Sequence, residues 1–144
     1  MDEIPDLLPA HLTPPIRTSA DLHRHWRAIM GPLGFGGRSL WITFLDSDGH
    51  LHPTLQQVDD LPIDPTDRSL RRMIDMCKRV LREIDRAGSV AFLLARPGWA
   101  QAHHSDMVWA DGLRREAAKV RLRVQPVFLA TDQAVVSLEP PLAA

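Results

Sequence analysis

Three groups of side chains in this chain have types and spacings that could do chemistry. His103-His104 with Asp106 places two imidazoles and a carboxylate next to a helix start. Neutral imidazole nitrogen and carboxylate oxygen are metal ligands, so a turn that gathered them would supply a hydrolytic metal centre. The plainer reading is a solvated loop with a helix cap. His50 and His52 alternate along a predicted strand and project from one face, a chelating geometry; they serve equally to cover one side of an edge strand. His23 and His25 cannot share a helix face, because two residues turn the helix by about 200°, and both are read as surface residues. Arg96 and Trp99 form the third group. A guanidinium at a crevice mouth grips an anion or carboxylate bidentately, or it pairs with an acidic side chain of its own chain. Trp99 either stands out as an interaction anchor beside that arginine or folds back on the core.

The elements around Arg96 explain why it draws interest. Ser89-Val-Ala-Phe-Leu-Leu-Ala95 reads as a buried strand after Gly88, and it runs into Arg96-Pro97-Gly98 before a helix opens near Ser105. In sheet-and-helix domains, ligands gather in the crevice beyond the carboxyl end of such a strand. That helix packs through Trp109 or Ala110, Leu113, Ala117 and Val120. Upstream, Thr18 or Ser19 caps a helix to about Met30 with Leu22, Trp26 and Ile29 or Met30 on one face, and Gly31-Pro32 ends it. The loop Gly34-Phe35-Gly36-Gly37 is flexible enough to approach a ligand, but no helix N-terminus follows it to receive a phosphate.

Ser39–Leu45 and His50–Val58 make a predicted hairpin around Asp46-Ser47-Asp48-Gly49, and Pro53 marks its second strand as an edge or a bulge. The acidic turn resembles a calcium loop but lacks the later ligands. A long helix is predicted from about Pro65 to Ala87, with Asp64 as cap, Pro65 in the first position and Gly88 as its stop. Leu70, Met73, Ile74, Cys77, Val80 or Leu81, and Ile84 form its buried stripe. Two strands, Leu122–Ala130 and Ala134–Leu138, close the chain around Thr131-Asp132-Gln133. The order predicts an α/β (α+β) fold: a mixed β-sheet of about five strands with about three helices packed on it.

Size and composition bound the rest. A chain of 144 residues with 44% apolar side chains is one ordinary domain that needs no disulfide or structural metal. Residues 1–17, with Pro5, Pro9, Pro14 and Pro15, read as a partly extended arm, either mobile or laid on the surface by its leucines; residues 18–144 form the globular part. No apolar run approaches the roughly 20 residues of a membrane span. The acidic N-terminus lacks the regions of a signal peptide, and the lone Cys77 excludes an intrachain disulfide and reads as a buried structural thiol. A cytoplasmic protein is expected. Arginine far outnumbers lysine (only Lys78 and Lys119) and Asn and Tyr are missing, the bias of a high-GC bacterial coding sequence.

The formal charge is −1, but unevenly spread. Residues 1–67 carry ten acidic and four basic side chains, a net −6, and residues 68–144 carry eight and thirteen, a net +5. Arginines of the long helix, with Arg114, Arg115, Lys119, Arg121 and Arg123, raise the possibility of nucleic-acid association, though no recognition motif accompanies them. There is no nucleophile elbow, no Cys/His metal spacing and no Walker-type loop.

Phe44-Leu45-Asp46 and Gly49-His50-Leu51 in a hairpin precede a long helix. A strand then leads to a Pro-containing loop, a helix opening with Ser105 and Asp106, and a strand pair ending Val136-Ser137-Leu138. In order and spacing, residues 38–139 resemble the RadC-like branch of the JAB/MPN (JAMM) domains. The resemblance implies that fold and, in catalytic members, a zinc ion held by a His-x-His pair at the end of the strand and by a later Asp. A Glu near the first strand acts there as general base. Aligning the Pro after that pair on Pro97 puts the histidine positions on Leu94 and Arg96, and the later Asp near Asp106, one residue out of step. Leu and Arg do not ligate zinc, and residues 35–45 hold no carboxylate. The expectation is therefore a pseudoenzyme of this kind, without catalytic residues or cofactor, that binds an unidentified protein through Arg96 and Trp99. The alternatives are a metal-dependent hydrolase with ligands relocated to His103, His104 and Asp106, aided by His50 or His52, or a weak nucleic-acid binder.

Overall fold

The computed structural model describes residues 3–139, so the ends of the predicted arm (1–2) and globular part (140–144) lie outside the described residues. The elements are α1 (Ser19–Met30), β1 (Ser39–Leu45), β2 (Leu51–Asp59), α2 (Asp67–Ile84), β3 (Ser89–Ala95), α3 (His104–Lys119), β4 (Phe128–Ala130) and β5 (Val135–Ser137). The sheet order is β2-β1-β3-β4-β5, with β3 and β4 parallel and the other neighbours antiparallel. The fold is α+β, a mixed five-stranded sheet with three helices.

Strand alternation divides the core in two. Leu40, Ile42, Phe44, Val90, Phe92, Leu94, Val127 and Leu129 face α2 and α3, whereas Leu45, Ala91, Leu93, Ala95, Phe128 and Ala130 face α1. Covered on both sides, every residue of β3 is buried, which is why its sequence is apolar without alternation. Trp109 is buried on α3 yet satisfied, since its indole N–H donates to the carbonyls of Pro62 and Ile63. Cys77 lies in the α2 core, and burial pushes its thiol up to about 12, so it stays protonated and unreactive.

Four expected boundaries are corrected. Thr66, not Asp64, caps α2: its hydroxyl accepts the Ser69 N–H while the Ser69 hydroxyl accepts the Thr66 N–H, a reciprocal box. The helix ends at Ile84 rather than Ala87, because the Asp85 carboxylate takes the N–H groups of Ala87 and Ser47 and turns the chain toward the hairpin. Gly88 does not stop the helix; a Cβ there would lie 2.3 Å from the Leu45 carbonyl oxygen, so its lack of a side chain lets β3 enter beside β1. The expected strand 122–130 shrinks to Phe128–Ala130, preceded by an isolated bridge from Val124 to Val90. Pro126 has no N–H to continue the ladder. β2 is an edge strand, and its pairing with β1 shifts register between Thr43 and Leu45, opposite Pro53.

The arm is seated by Ile16 rather than by its leucines. Ile16 is buried and donates its N–H to the Gly49 carbonyl, while Leu7, Leu8 and Leu12 remain exposed. Gly49 has φ of 87°, and a Cβ on it would meet the Ile16 carbonyl at 2.5 Å. The arm covers His25, which is half-buried rather than on the surface as expected, in a cleft shared with Asp21 and Arg24. Desolvation pushes this imidazole down from 6.5 to about 4. Above pH 6.5 it is neutral in both folded and unfolded chains, and its stabilisation is fully present. As pH falls toward 4 only the unfolded chain gains the proton, so stability drops by about 2 kcal/mol after discounting for residual solvent contact. Asp21 is held below the usual carboxylate range, first by the Arg17 N–H, so its own contribution is lost only as pH falls into and below that range. Thermal melts between pH 7 and 4 should show this slope, and His25→Phe should flatten it.

Candidate functional site

Three loops meet where β3 and β4 end side by side, and Arg96 organises them. Arg96 follows β3, and its backbone N–H donates to the Ala130 carbonyl at 3.0 Å, so the residue is fixed by the sheet. Its side chain is 2% exposed, as is Asp106 in the first turn of α3. Nε donates to both carboxylate oxygens at 3.1 Å, and one terminal nitrogen reaches Oδ2 at 2.9 Å. The remaining donors go to the carbonyls of Pro97 (3.1 Å), Trp99 (3.2 Å) and Gln101 (2.9 Å). The fork thus braces the loop from within, which no lysine could do with its single nitrogen.

The other two loops hold the outside of that loop. The Asp132 carboxylate accepts the Gly98 N–H at 2.8 Å and the Phe35 N–H at 3.0 Å, and the Gln133 side chain accepts the Ala100 N–H at 2.8 Å. These N–H groups, Gly98 first, hold Asp132 below the ordinary carboxylate range. The glycine-rich segment around Phe35 is therefore a neighbour of the loop, with no phosphate role required of it. From this braced loop Trp99 projects with 74% of its surface exposed.

Arg96 therefore pairs internally and, being buried, cannot touch a partner; the expected two-residue contact reduces to Trp99. Its alternative, folding of Trp99 onto the core, is also excluded. The relocated ligand set is not assembled. His103 and His104 are exposed, whereas Asp106 is buried with its oxygens taken by Arg96 and by the His103 N–H at 2.8 Å. His50 precedes β2 and His52 is its second residue, both near the start of β3 and so about 20 Å from the loop after it for a strand of this length, and they do not converge. His50 sits 3.6 Å from Asp46, and His52 Nδ1 accepts the Thr54 N–H at 3.1 Å. Among the described residues, Asp46, Asp48 and His50 are the one trio close enough to share an ion. Asp46 Oδ1 is already occupied, accepting the N–H groups of Asp48 and His50 at 2.9 Å, as a hairpin turn requires. His23, expected at the surface, is exposed yet bonds the Val135 carbonyl at 2.8 Å, tying α1 to β5.

Sequence reasoning did not find Asp132 and Gln133. Their turn chemistry was legible, but nothing local signals a contact with a loop more than thirty residues earlier. The basic side chains also divide in a way the sequence did not reveal. Arg114 pairs with Asp111 and Glu139, Arg115 with Asp67 and Glu116, and Lys119 with Glu116, whereas Arg121 and Arg123 form no ion pair among the described residues. No helix among the described residues is long and apolar enough to cross a membrane. Searches of protein-family models and of curated proteins found no match to this chain.

Proposed function

We propose that this chain is a non-catalytic RadC/JAB-like domain that binds a protein, with Trp99 as the anchor. The observation that carries the reading is a large indole standing in solvent on a backbone that is hydrogen-bonded on both sides. Ordering an interface loop costs free energy on binding, and here that ordering is complete beforehand. Tryptophan is the side chain most suited to such an anchor, since it brings a wide apolar face and an N–H donor. The partner should offer an apolar pocket with a hydrogen-bond acceptor at its edge.

The ion pair supports the pseudoenzyme part of the reading. The resemblance lays a zinc-binding histidine on Arg96 and the later aspartate near Asp106, and these two side chains are in contact. A guanidinium occupies the place that a cation would take between them, and it leaves the carboxylate no free oxygen. Leu94, at the other histidine position, points into the α2–α3 core.

Affinity purification of the full chain alongside Trp99→Ala tests the proposal. Trp99 contributes little to the core, so the variant should melt within about 0.5 kcal/mol of the parent. It should also lose a co-purifying protein that the parent retains, with the affinity reduced by about 2 kcal/mol or more. Equal recovery by parent and variant would rule out this anchor.

A further inference from the structure

We infer that the cleft at the opposite end of the sheet binds closely spaced phosphate groups. This cleft, of about 460 Å³, is lined by Lys78, Arg82 and Arg86 from α2 and its C-terminal turn and by Arg121 and Arg123 after α3, and among the described residues no carboxylate lines it. None of the four arginines forms an ion pair among the described residues, in contrast to Arg114, Arg115 and Lys119 nearby in sequence. All four are exposed at its walls. Asp85, the nearest acid in sequence to Arg86, is turned away by its bonds to Ser47 and Ala87.

The cations are placed by the fold. Arg82 comes from the last turn of α2 and Arg86 from the turn that follows Asp85, and both line the cleft. Opposite them, buried Leu122 pins the chain so that Arg121 and Arg123 flank it. Arg121 holds φ of 56°, a left-handed conformation that glycine takes more readily. Lys78 donates to the carbonyls of Val120 at 2.7 Å and Arg121 at 3.4 Å, which fixes that turn and uses up the lysine. The C-termini of α2 and α3 also point here, and their partial negative charges account for a cation each. Lys78 already serves α3, so four arginines exceed what the helix ends require. Guanidinium forks suit phosphate oxygens, and with no aromatic side chain in the lining the recognition is of phosphates rather than bases.

Two sources supply such phosphates, a free polyphosphate or the backbone of a nucleic-acid strand. The full chain should be titrated with inorganic tripolyphosphate and with a labelled twelve-residue oligothymidylate at physiological and low salt. Binding of either ligand is expected, and Arg82→Gln/Arg86→Gln should weaken it roughly tenfold or more. Arg24→Gln/Arg68→Gln, which removes equal charge elsewhere, should change it less than about threefold. If the strand is the ligand, log K should fall with log salt with a slope of about −3, from roughly 0.7 per phosphate; if only tripolyphosphate binds, the ligand is small. Arg121→Gly, which relieves the left-handed turn and so preserves the fold, should also weaken binding. Failure of both ligands to bind at low salt, or equal losses in the two double variants, would overturn the inference.

Discussion

Replacing Arg96 with alanine is expected to destabilise the protein by about 3–5 kcal/mol, since it strands the Asp106 carboxylate in the interior without its partner. The same substitution strips the carbonyls of Pro97, Trp99 and Gln101 of their donors, so the loop should loosen even where the fold survives. Urea denaturation reads the first effect, and the accessibility of Trp99 to a fluorescence quencher or to proteolysis nearby reads the second. Arg96→Lys should recover little, because one ammonium cannot serve a carboxylate and three carbonyls in this planar arrangement. The double substitution Arg96→Met/Asp106→Leu separates the two roles. Two apolar side chains of similar volume restore much of the stability of a buried pair, yet they offer no donors to the loop. The expected result is a folded protein whose Trp99 no longer holds its position, and the proposed protein binding should fall with it. A parent-like loop in that variant would show that the guanidinium is dispensable for presenting Trp99.

Gly88→Ala is expected to cost about 3 kcal/mol, at the upper end for an overpacked site. Its Cβ would fall 2.3 Å from the Leu45 carbonyl and 3.1 Å from the Asp85 carbonyl, and both are backbone atoms that move only with their elements. β1 and β3 are adjacent across the Leu45–Ser89 pair, so relief requires splaying the sheet at that end. Gly88 also lines the arginine cleft. The variant should therefore show a lower midpoint in chemical denaturation and a weaker interaction with tripolyphosphate, while the loop around Trp99 at the far end of the sheet keeps its quencher accessibility. An unchanged midpoint would mean that the close approach at Leu45 is easily relaxed.

Much of the architecture was legible because it rests on local periodicity. The unbroken apolar run 89–95, the stripe from Leu70 through Leu81 and the acidic hairpin turn each have one stable reading, since the pattern itself demands a two-sided strand, an amphipathic helix and a reversal. The two ends of α2 fell elsewhere than expected because the deciding bonds there were made by side chains. Thr66 competed with Asp64 as cap and prevailed through its exchange with Ser69. Asp85 cut α2 short by reaching Ser47, a residue of the distant hairpin.

The candidate site divides along the same line. From the sequence alone came the position of Arg96 at the end of a buried strand and the nearby Trp99. Whether Arg96 faced an anion or an internal acid, and whether Trp99 faced water or the core, stayed open, because residues ten apart have no fixed separation until the chain folds. Only the tertiary structure joined Arg96 to Asp106, set Asp132 and Gln133 against the loop from thirty residues away, and gathered into one cleft four arginines that form no ion pair among the described residues. Secondary structure is selected by interactions within a few residues, whereas the environment of a charge is decided by whatever the fold brings against it.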